Sequence, residues 1–345
     1  MTASVGLVGY GVGGRYFHSP YIVASETCRL AGIVARSPGN LAAARADHPG
    51  VPIFETIDDM LDAGVDAVTI STPPATRHDL AVTAIERGVA VLADKPFAPS
   101  AAAGRELVHI AEEAGVLLNV FHNRRWDADI VTARGVIDSH ALGKITRLDL
   151  RCDQDDVSTL ERGPEGGLLR DLGSHVVDQA LSLLGPAIAV SAQLDVAHFP
   201  EGATDTGFVI TLIHASGAHS HISASKMNHL SSRELRLHGE HGSYSSNYSD
   251  VQFEAVRAGR RPAADREAWG WEHEDRWGVL AVTDGSRPVP ARQGDYTDLY
   301  DAFGEAVLNG GTGPVPAAEG VAVLYVLDAA RRSASTHRTV ALQLD

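Results

Sequence analysis

The sequence predicts a two-domain α/β protein, in which a doubly wound parallel sheet precedes a domain built on an antiparallel sheet. At 345 residues the chain is longer than one hydrophobic core usually supports. From Ser4 to about Val120, short β-rich runs alternate with helical stretches, the pattern of a parallel sheet covered by helices on both faces. Farther along, β-rich runs follow one another without intervening helices, which indicates antiparallel pairing.

Individual elements follow from these patterns. The strands expected in the first part are Val5–Val8, Leu30–Val34, Ala67–Ile70, Val89–Leu92 and Val116–Val120. Helices are expected to begin near Gly13, Pro38, Thr56, Ala75 and Pro99. The second part is expected to contain a helix near Ile130–Ser139, a β-run at Ile145–Cys152, a helix at Asp171–Leu184, β-runs from Ile188 to Tyr248, and final helices near Thr297–Leu308 and Ala317–Ala334, with a Gly- and Pro-rich interruption at Asn309–Pro316.

Composition excludes several classes of protein. The formal net charge of −15 and the scattered basic residues argue against a nucleic-acid surface. Cys28 and Cys152 have neither CxxC spacing nor a nearby His pair, so we expect no disulfide framework and no zinc site. The apolar stretch Val5–Gly9 is too short for a signal peptide, and no run approaches the roughly 20 apolar residues of a membrane span. A reduced, cytoplasmic location and no membrane association are expected.

A glycine fingerprint follows the first predicted strand. Gly9, Gly11 and Gly14 satisfy G-x-G-x-x-G, with Val12 and Gly13 between the last two, and the motif opens a predicted helix. The first glycine permits a tight turn, the second lets the backbone approach a pyrophosphate, and the third allows close helix–strand packing. The alternative is a glycine-rich turn that binds nothing. The context favours a dinucleotide site.

The end of the second predicted strand indicates which dinucleotide binds. NAD enzymes usually carry an acidic residue here for the ribose hydroxyls, whereas this strand ends in Arg36-Ser37. A guanidinium pairs well with a 2′-phosphate, and the serine hydroxyl offers another donor. We therefore expect NADP in preference to NAD. The alternative is a solvated surface arginine.

Two further clusters follow strands at the carboxyl edge of the first sheet, where such sheets bind ligands. Thr72-Pro73-Pro74, with His78 nearby, precedes a helix and could also be only a helix cap. Asp94-Lys95-Pro96 places a lysine where it could bond a substrate hydroxyl, although a lysine after a strand is usually a surface charge.

A predicted helix in the second part carries Asp171, His175 and Asp178. A spacing of four places Asp171 beside His175, which could provide a base and the group that orients it. The alternatives are a metal site, for which a third ligand is lacking, and a capping Asp with a buried, hydrogen-bonded His.

In this order, the fingerprint, the Asp94-Lys95-Pro96 turn and the Asp171/His175 helix resemble the Gfo/Idh/MocA oxidoreductase family over almost the whole chain. Three further stretches are similar to the branch that contains NADP-dependent scyllo-inositol dehydrogenases: Tyr16–Pro20, Phe121–Asp127 and Pro314–Glu319.

The resemblance implies a Rossmann domain at residues 1–122 and a substrate-binding and oligomerisation domain at 123–345, with the final helices packing back on the first. The second domain is expected to contain a large open antiparallel sheet whose outer face makes homodimer or homotetramer contacts. The implied reaction transfers a hydride between nicotinamide and a hydroxyl-bearing carbon of a cyclitol or sugar.

The resemblance also implies roles for residues. The implied catalytic set is Lys95, Asp171 and His175: His175 takes the hydroxyl proton, Asp171 orients it, and Lys95 stabilises alkoxide character. Cofactor contacts are implied for Gly9, Gly11, Val12, Gly13, Gly14, Arg36, Ser37, Thr72, Pro73, Pro74, His78, Asp94, Lys95, Pro96 and Asn123. Substrate contacts are implied for Lys95, Arg124, Arg125, Trp126, Asp153, Asp171 and His175. No metal is expected.

Residues 154–165 depart from the inositol-acting relatives, which tend to be longer there and to contain Trp and Arg. Here the segment is acidic and lacks an aromatic residue, so both cyclitols and sugars stay open as substrates. Two other classes of function also stay open: a nucleotide sensor without chemistry, and a lyase or glycosidase that oxidises and re-reduces the same sugar.

Overall fold

The computed structural model describes residues 1–164 and 166–343, and the chain divides into two compact units. The first unit comprises Met1–Trp126, Val251–Trp269 and Asp295–Val321. The second comprises Asp127–Asp250, Gly270–Gly294 and the chain from Ala322 onward. Each unit contains its own sheet and its own core.

The regular elements are as follows. The strands are β1 (Ala3–Val8), β2 (Cys28–Val34), β3 (Ile53–Phe54), β4 (Ala67–Ile70), β5 (Ala90–Asp94), β6 (Leu118–Phe121), β7 (Ile145–Asp153), β8 (Ala187–Phe199), β9 (Gly202–His214), β10 (His219–Ser225), β11 (Ser232–Gly239), β12 (Gly242–Ser246), β13 (Gly278–Val282), β14 (Gly285–Val289) and β15 (Val340–Ala341). The α-helices are α1 (Ser19–Ala24), α2 (Pro38–Asp47), α3 (Ile57–Asp62), α4 (Pro74–Glu86), α5 (Ala101–Ala114), α6 (Ala128–Asp138), α7 (Leu168–Leu184), α8 (Val251–Arg257), α9 (Thr297–Asn309) and α10 (Ala317–Thr336).

The first unit is a doubly wound sheet. Its strands pair in parallel in the order β3-β2-β1-β4-β5-β6, the arrangement in which ligands bind at the carboxyl ends of the strands. Every residue of β1, β4 and β6 is buried, as expected for a sheet covered on both faces. The predicted parallel fold is therefore confirmed.

Aromatic side chains fill one side of this sheet. Tyr21 of α1, Phe121 of β6 and Phe303 of α9 lie in one buried cluster with Tyr296 and Tyr300. Helix α9 packs against α1, β1 and β2. A helix from late in the sequence thus completes the core of the first unit.

The second unit is built on a long, mixed sheet. Its order is β14-β13-β12-β11-β7-β10-β9-β8-β15, and the pairings are antiparallel except between β7 and β10, which run parallel. Leu148 and Leu150 of β7 are buried in a core shared with α7, whereas Arg147 and Asp149 alternate with them and lie on the opposite face. The predicted large antiparallel sheet is confirmed, with one parallel pair added.

The structure corrects the sequence-based elements in several places. The helix expected at Gly13 is a π-helical turn, Gly13–His18, and α1 follows it. Pro20 cannot donate a backbone hydrogen bond and so interrupts a regular helix. Helix α7 begins at Leu168 rather than Asp171, because Asp205 of β9 accepts a hydrogen bond from the backbone N–H of Leu169 (2.6 Å). This tertiary contact has no local sequence signal.

No helix within residues 1–164 and 166–343 is long and apolar enough to cross a membrane.

Candidate functional site

The glycine fingerprint forms a tightly packed turn at the end of β1. Gly9 has a φ of 103°, and a Cβ there would lie 2.3 Å from the carbonyl oxygen of Ser71. A Cβ on Gly14 would lie 2.1 Å from the carbonyl oxygen of Gly9. Both positions therefore require glycine. A Cβ on Gly11 would meet nothing within 4 Å, so the turn is open at the glycine expected to face a pyrophosphate.

Arg36 and Ser37 lie just beyond the carboxyl end of β2. Arg36 is exposed, and no residue within 1–164 or 166–343 forms a hydrogen bond or ion pair with its side chain. Ser37 caps α2, because its Oγ accepts a hydrogen bond from the backbone N–H of Asn40 (3.2 Å). The Ser37 hydroxyl can still donate its proton to an anion.

The Asp94 carboxylate at the end of β5 is the centre of a polar network. Its Oδ2 accepts a hydrogen bond from Ser71 Oγ (3.0 Å), and its Oδ1 accepts one from the backbone N–H of Lys95 (2.8 Å). Burial would raise the pKa of this carboxyl, but Arg77, His18 and Lys95 together hold it well below its usual range. Asp94 therefore stays ionised, and its hydrogen bond to the backbone N–H of Lys95 fixes the backbone at that residue.

Arg77 of α4 clamps the turn on which Lys95 lies. Its Nε donates to the carbonyl oxygen of Thr72 (2.8 Å), and its Nη1 donates to the carbonyl oxygens of Lys95 and Pro96, the latter at 3.0 Å. The Lys95–Pro96 peptide bond is cis. The planar guanidinium, with several donors in a fixed geometry, joins the two loops at the carboxyl ends of β4 and β5.

His18 is fully buried against the same carboxylate. Its Nε2 lies 3.3 Å from Asp94 Oδ2, and its Nδ1 lies 2.7 Å from the hydroxyl of Tyr300. Burial raises the pKa of Tyr300 well above its ordinary value, so the phenol keeps its proton. Because an ionised carboxylate only accepts, the geometry favours donation from Tyr300 to Nδ1 and a proton on Nε2.

Helix α4 begins at Pro74, directly after Thr72 and Pro73, and Thr72 Oγ1 accepts a hydrogen bond from Thr76 Oγ1 (2.9 Å). His78 follows one turn later. Its Nε2 is buried and has no hydrogen-bond partner in the described parts of the chain. A buried donor or acceptor without a partner is costly. This atom and the open Gly11 edge are both suited to a dinucleotide bound at the carboxyl end of the sheet.

Strand β6 and the residues that follow it both contact the Pro314–Glu319 stretch. Asn119 accepts a hydrogen bond from Val315 N (2.9 Å), and Arg125 forms an ion pair with Glu319 (2.6 Å). Asn123 is buried, whereas Arg124, Arg125 and Trp126 are half-buried. Two of the stretches that carry the family resemblance therefore contact each other within the first unit.

In the second unit, α7 carries the candidate acid–base residues. Asp171 is one-third exposed, His175 is buried at 8% exposure, and Asp178 is fully buried. Their spacing places Asp171 and His175 on successive turns of one helical face. Asp171 forms an ion pair with Lys226 (3.0 Å). Asp153, at the end of β7, is also buried and accepts from Arg151.

Sequence reasoning missed several polar residues of these clusters. Arg77 and His18 were visible in the motifs, but nothing local shows that both reach Asp94. Tyr300 and Lys226 lie far from the motifs in sequence and are brought in only by α9 and β10. Within residues 1–164 and 166–343, no group of three or more His, Cys, Asp or Glu side chains could hold a metal ion.

The Arg77 clamp makes a prediction about stability. Replacing Arg77 with Met leaves four carbonyl oxygens and the Asp94 carboxylate without their cation, and we expect a loss of about 3 kcal/mol in the free energy of unfolding. Arg87, at the other end of α4, is the matched control, because its ion pairs with Asp58 and Asp62 are exposed. Urea denaturation followed by circular dichroism measures both variants. Similar losses for Arg77→Met and Arg87→Met would contradict the buried clamp.

Comparison with known proteins agrees with this geometry. Residues 3–122 match the model of an oxidoreductase family with an NAD-binding Rossmann fold, and residues 130–245 match the GFO/IDH/MocA C-terminal domain. The oxidoreductase YdgJ of Escherichia coli, itself uncharacterised, is 32% identical over 282 residues, which cover 80% of this chain and 79% of YdgJ.

Two further comparisons involve Bacillus subtilis. The scyllo-inositol 2-dehydrogenase (NADP(+)) IolW is 29% identical over 287 residues, covering 81% of this chain and 78% of IolW. The solved structure of the yvaA protein covers 99% of both chains with a TM-score of 0.91 and 28% identity. Together with the two family models, these similarities show that the chain belongs to the Gfo/Idh/MocA family of oxidoreductases.

Proposed function

We propose that this oxidoreductase uses NADP to transfer a hydride to or from a hydroxyl-bearing carbon of a cyclitol or sugar. The observation that carries the proposal is the Lys95 turn. A lysine at the carboxyl edge of a dinucleotide-binding sheet is fixed on both sides, by Asp94 through its backbone N–H and by Arg77 through its carbonyl. Such fixation is what a residue needs when it must stabilise charge at one defined atom.

The proposed roles follow from the chemistry of alcohol oxidation. When bound, the nicotinamide supplies the hydride acceptor. His175 takes the hydroxyl proton, Lys95 stabilises the negative charge that develops on the oxygen, and Asp171 orients the imidazole. In the reductive direction His175 returns the proton. These roles are assigned by the family resemblance, and the half-buried Lys95 and largely buried His175 suit proton transfer away from bulk water.

The substrate class rests on relatives and on polarity. IolW is named for scyllo-inositol and NADP(+), and a polyhydroxylated substrate suits the polar residues that we assign to it: Arg124, Arg125, Trp126 and Asp153. The acidic segment 154–164 offers further acceptors for hydroxyl groups. Glu165, which belongs to the same segment, lies outside the described residues. A cytoplasmic location is proposed as well, because the sequence holds only two cysteines, Cys28 and Cys152, and they lack CxxC spacing.

Lys95→Met tests the proposed chemistry. Purified protein is mixed with NADPH and a panel of ketoses and inososes, and the nicotinamide absorbance is followed. We expect kcat to fall by about 10²- to 10⁴-fold in Lys95→Met while NADPH binding persists, because the charge at the reacting oxygen is lost. Lys144→Met, which removes an exposed lysine, is the control and should behave as wild type. Retained turnover in Lys95→Met would remove Lys95 from the mechanism.

Wild-type protein without turnover on any substrate of the panel would instead favour the sensor interpretation. Tight NADP copurification without net consumption of NADPH would favour the lyase or glycosidase.

Arg36→Asp tests the preference for NADP. The exposed guanidinium of Arg36 is available to a 2′-phosphate, and a carboxylate there would repel the phosphate and accept from the ribose hydroxyls. We expect affinity for NADPH to fall by about 10- to 100-fold, with a relative gain for NADH, measured by calorimetry. Arg105→Asp, the same charge change on the exposed side of α5, should leave the preference unchanged. If Arg36→Asp also leaves it unchanged, the phosphate is bound elsewhere.

We also propose that the outer face of the second sheet binds a second copy of the chain, as a homodimer or as part of a homotetramer. This face contains exposed Val209 and Ile213 beside a depression of about 410 Å³. Its charges are of both signs: Arg147 pairs with Asp149 (2.6 Å) and Arg236 with Glu234 (2.9 Å). In a two-fold dimer the same face of both copies meets, so the apolar residues of one copy can pack on those of the other, and charges of opposite sign can pair.

The oligomer is tested by light scattering after size exclusion. Wild-type protein should have a mass at least twice that of the 36.5 kDa chain, and Val209→Lys/Ile213→Lys should shift it toward monomer. Val23→Lys, an exposed valine on α1, should not. A monomeric wild type would contradict the proposal.

A further inference from the structure

Lys226 is a buried cation that contacts two parts of the second unit. Its Nζ lies 3.0 Å from Asp171 Oδ2 and 3.0 Å from Thr159 Oγ1, and it also contacts the carbonyl oxygen of Thr159 (3.5 Å). The Lys226 side chain is 3% exposed, whereas that of Asp171 is 34% exposed. A buried ammonium requires such partners. Lys226 thus joins a candidate catalytic residue to the segment 154–164.

Sheet register explains why Lys226 reaches both partners. Strands β7 and β10 run parallel, with Asp153 opposite Ser225, so the residues that follow them leave the sheet at the same edge. Segment 154–164 follows β7, and Lys226 follows β10. Helix α7 begins at this edge as well, because Asp205 of the adjacent strand β9 binds the Leu169 N–H. The parallel pairing of β7 with β10 therefore brings Lys226, segment 154–164 and the start of α7 to the same edge of the sheet.

Lysine is rare in this chain, so a lysine at position 226, where an arginine would be more usual, indicates a requirement for an ammonium group. Lys95, Lys144 and Lys226 are the three lysines among 29 basic residues, so the other 26 are arginines. Lys144 is exposed, whereas the other two lysines lie at the Asp94 turn and at Asp171. An ammonium carries its charge and its three donors on one nitrogen at the end of a flexible stem, whereas a guanidinium spreads them over a planar fork. This geometry matches the contacts of Lys226.

We propose that Lys226 is a positioning residue for the reaction, acting through Asp171 and through Thr159. By binding Oδ2, it fixes the rotation of the Asp171 carboxylate and so the direction of Oδ1. By binding Thr159, it holds segment 154–164 against the start of α7. The inference rests on the proposed function, in which Asp171 orients His175 and this segment borders the substrate.

The two contacts have separable kinetic effects. Lys226→Met removes both, and kcat is expected to fall by about 10- to 100-fold, because a small misplacement of a functional group can cost on the order of 10²-fold in rate. Thr159→Val keeps the Asp171 ion pair but loses the hydroxyl contact, so KM rises while kcat stays near wild type. Lys144→Met is the control for removing a lysine. A wild-type kcat in Lys226→Met would overturn the proposal.

A double-variant cycle separates positioning from general destabilisation. If Lys226 acts through Asp171, the variant Lys226→Met/Asp171→Asn loses no more kcat than Asp171→Asn alone, whereas independent effects multiply. Multiplied losses would contradict the proposal.

Should Lys226→Met fail to fold, Lys226→Arg replaces it. The charge stays but the single-nitrogen geometry is lost, and kcat should still fall by about 5- to 10-fold. An unchanged kcat in folded Lys226→Arg overturns the proposal.

An NMR readout does not depend on turnover. Protein labelled with ¹³C at the lysine ε carbon contains three labelled residues, and the Lys226 resonance is identified by its loss in Lys226→Met or Lys226→Arg. Asp171→Asn should shift this resonance and leave that of Lys144 in place. No shift would overturn the ion pair. A wild type without turnover would contradict the proposed function, whereas an active wild type with unaffected Lys226 variants would contradict this inference alone.

Discussion

The ionised Asp94 carboxylate is the constraint on which the first unit's candidate site depends. It lies at the end of β5, takes hydrogen bonds from Ser71 and from the Lys95 backbone, and has Arg77 and His18 beside it. A buried carboxylate is stable only with such partners. These partners also hold the loops after β4 and β5. The Asp94 carboxylate, which needs them as counter-charges and donors, therefore also fixes the backbone position of Lys95, the lysine that we propose for catalysis.

The second unit uses the same principle with the signs reversed. Here the buried ion is the Lys226 ammonium, and its partners are Asp171 and Thr159. Burial raises the pKa of Asp205, while the Leu169 N–H and Arg331 oppose that rise, and this carboxyl determines where α7 begins. In both units a buried charge at the edge of a sheet contacts a candidate catalytic residue, through the backbone of Lys95 in the first unit and the carboxylate of Asp171 in the second, and preorganisation of this kind is what electrostatic catalysis requires.

Much of the fold could be predicted from the sequence, because its signals are local. The strand Leu30–Val34 is a continuous apolar run, Ala67–Ile70 is interrupted only by the β-branched Thr69, and the glycine spacing marks the first turn. Elements between Val251 and Val289 were not predicted, since α8, β13 and β14 are short and lack a sustained period. The parallel pairing of β7 with β10 was also missed, because register depends on partners distant in sequence.

The site could be predicted only in part for the same reason. Motifs identified Asp94, Lys95, Asp171 and His175, but the side chains that hold Asp94 and Asp171 come from the turn Gly13–His18, from α4 and from the loop after β10, and no spacing rule connects them. The central claim is that the first unit binds a nicotinamide dinucleotide beside the Lys95 turn. Calorimetric titration of the folded wild-type protein with NADPH and with NADH tests it most directly: we predict saturable binding at one site per chain, tighter for NADPH, and an absence of binding heat with both would contradict the account.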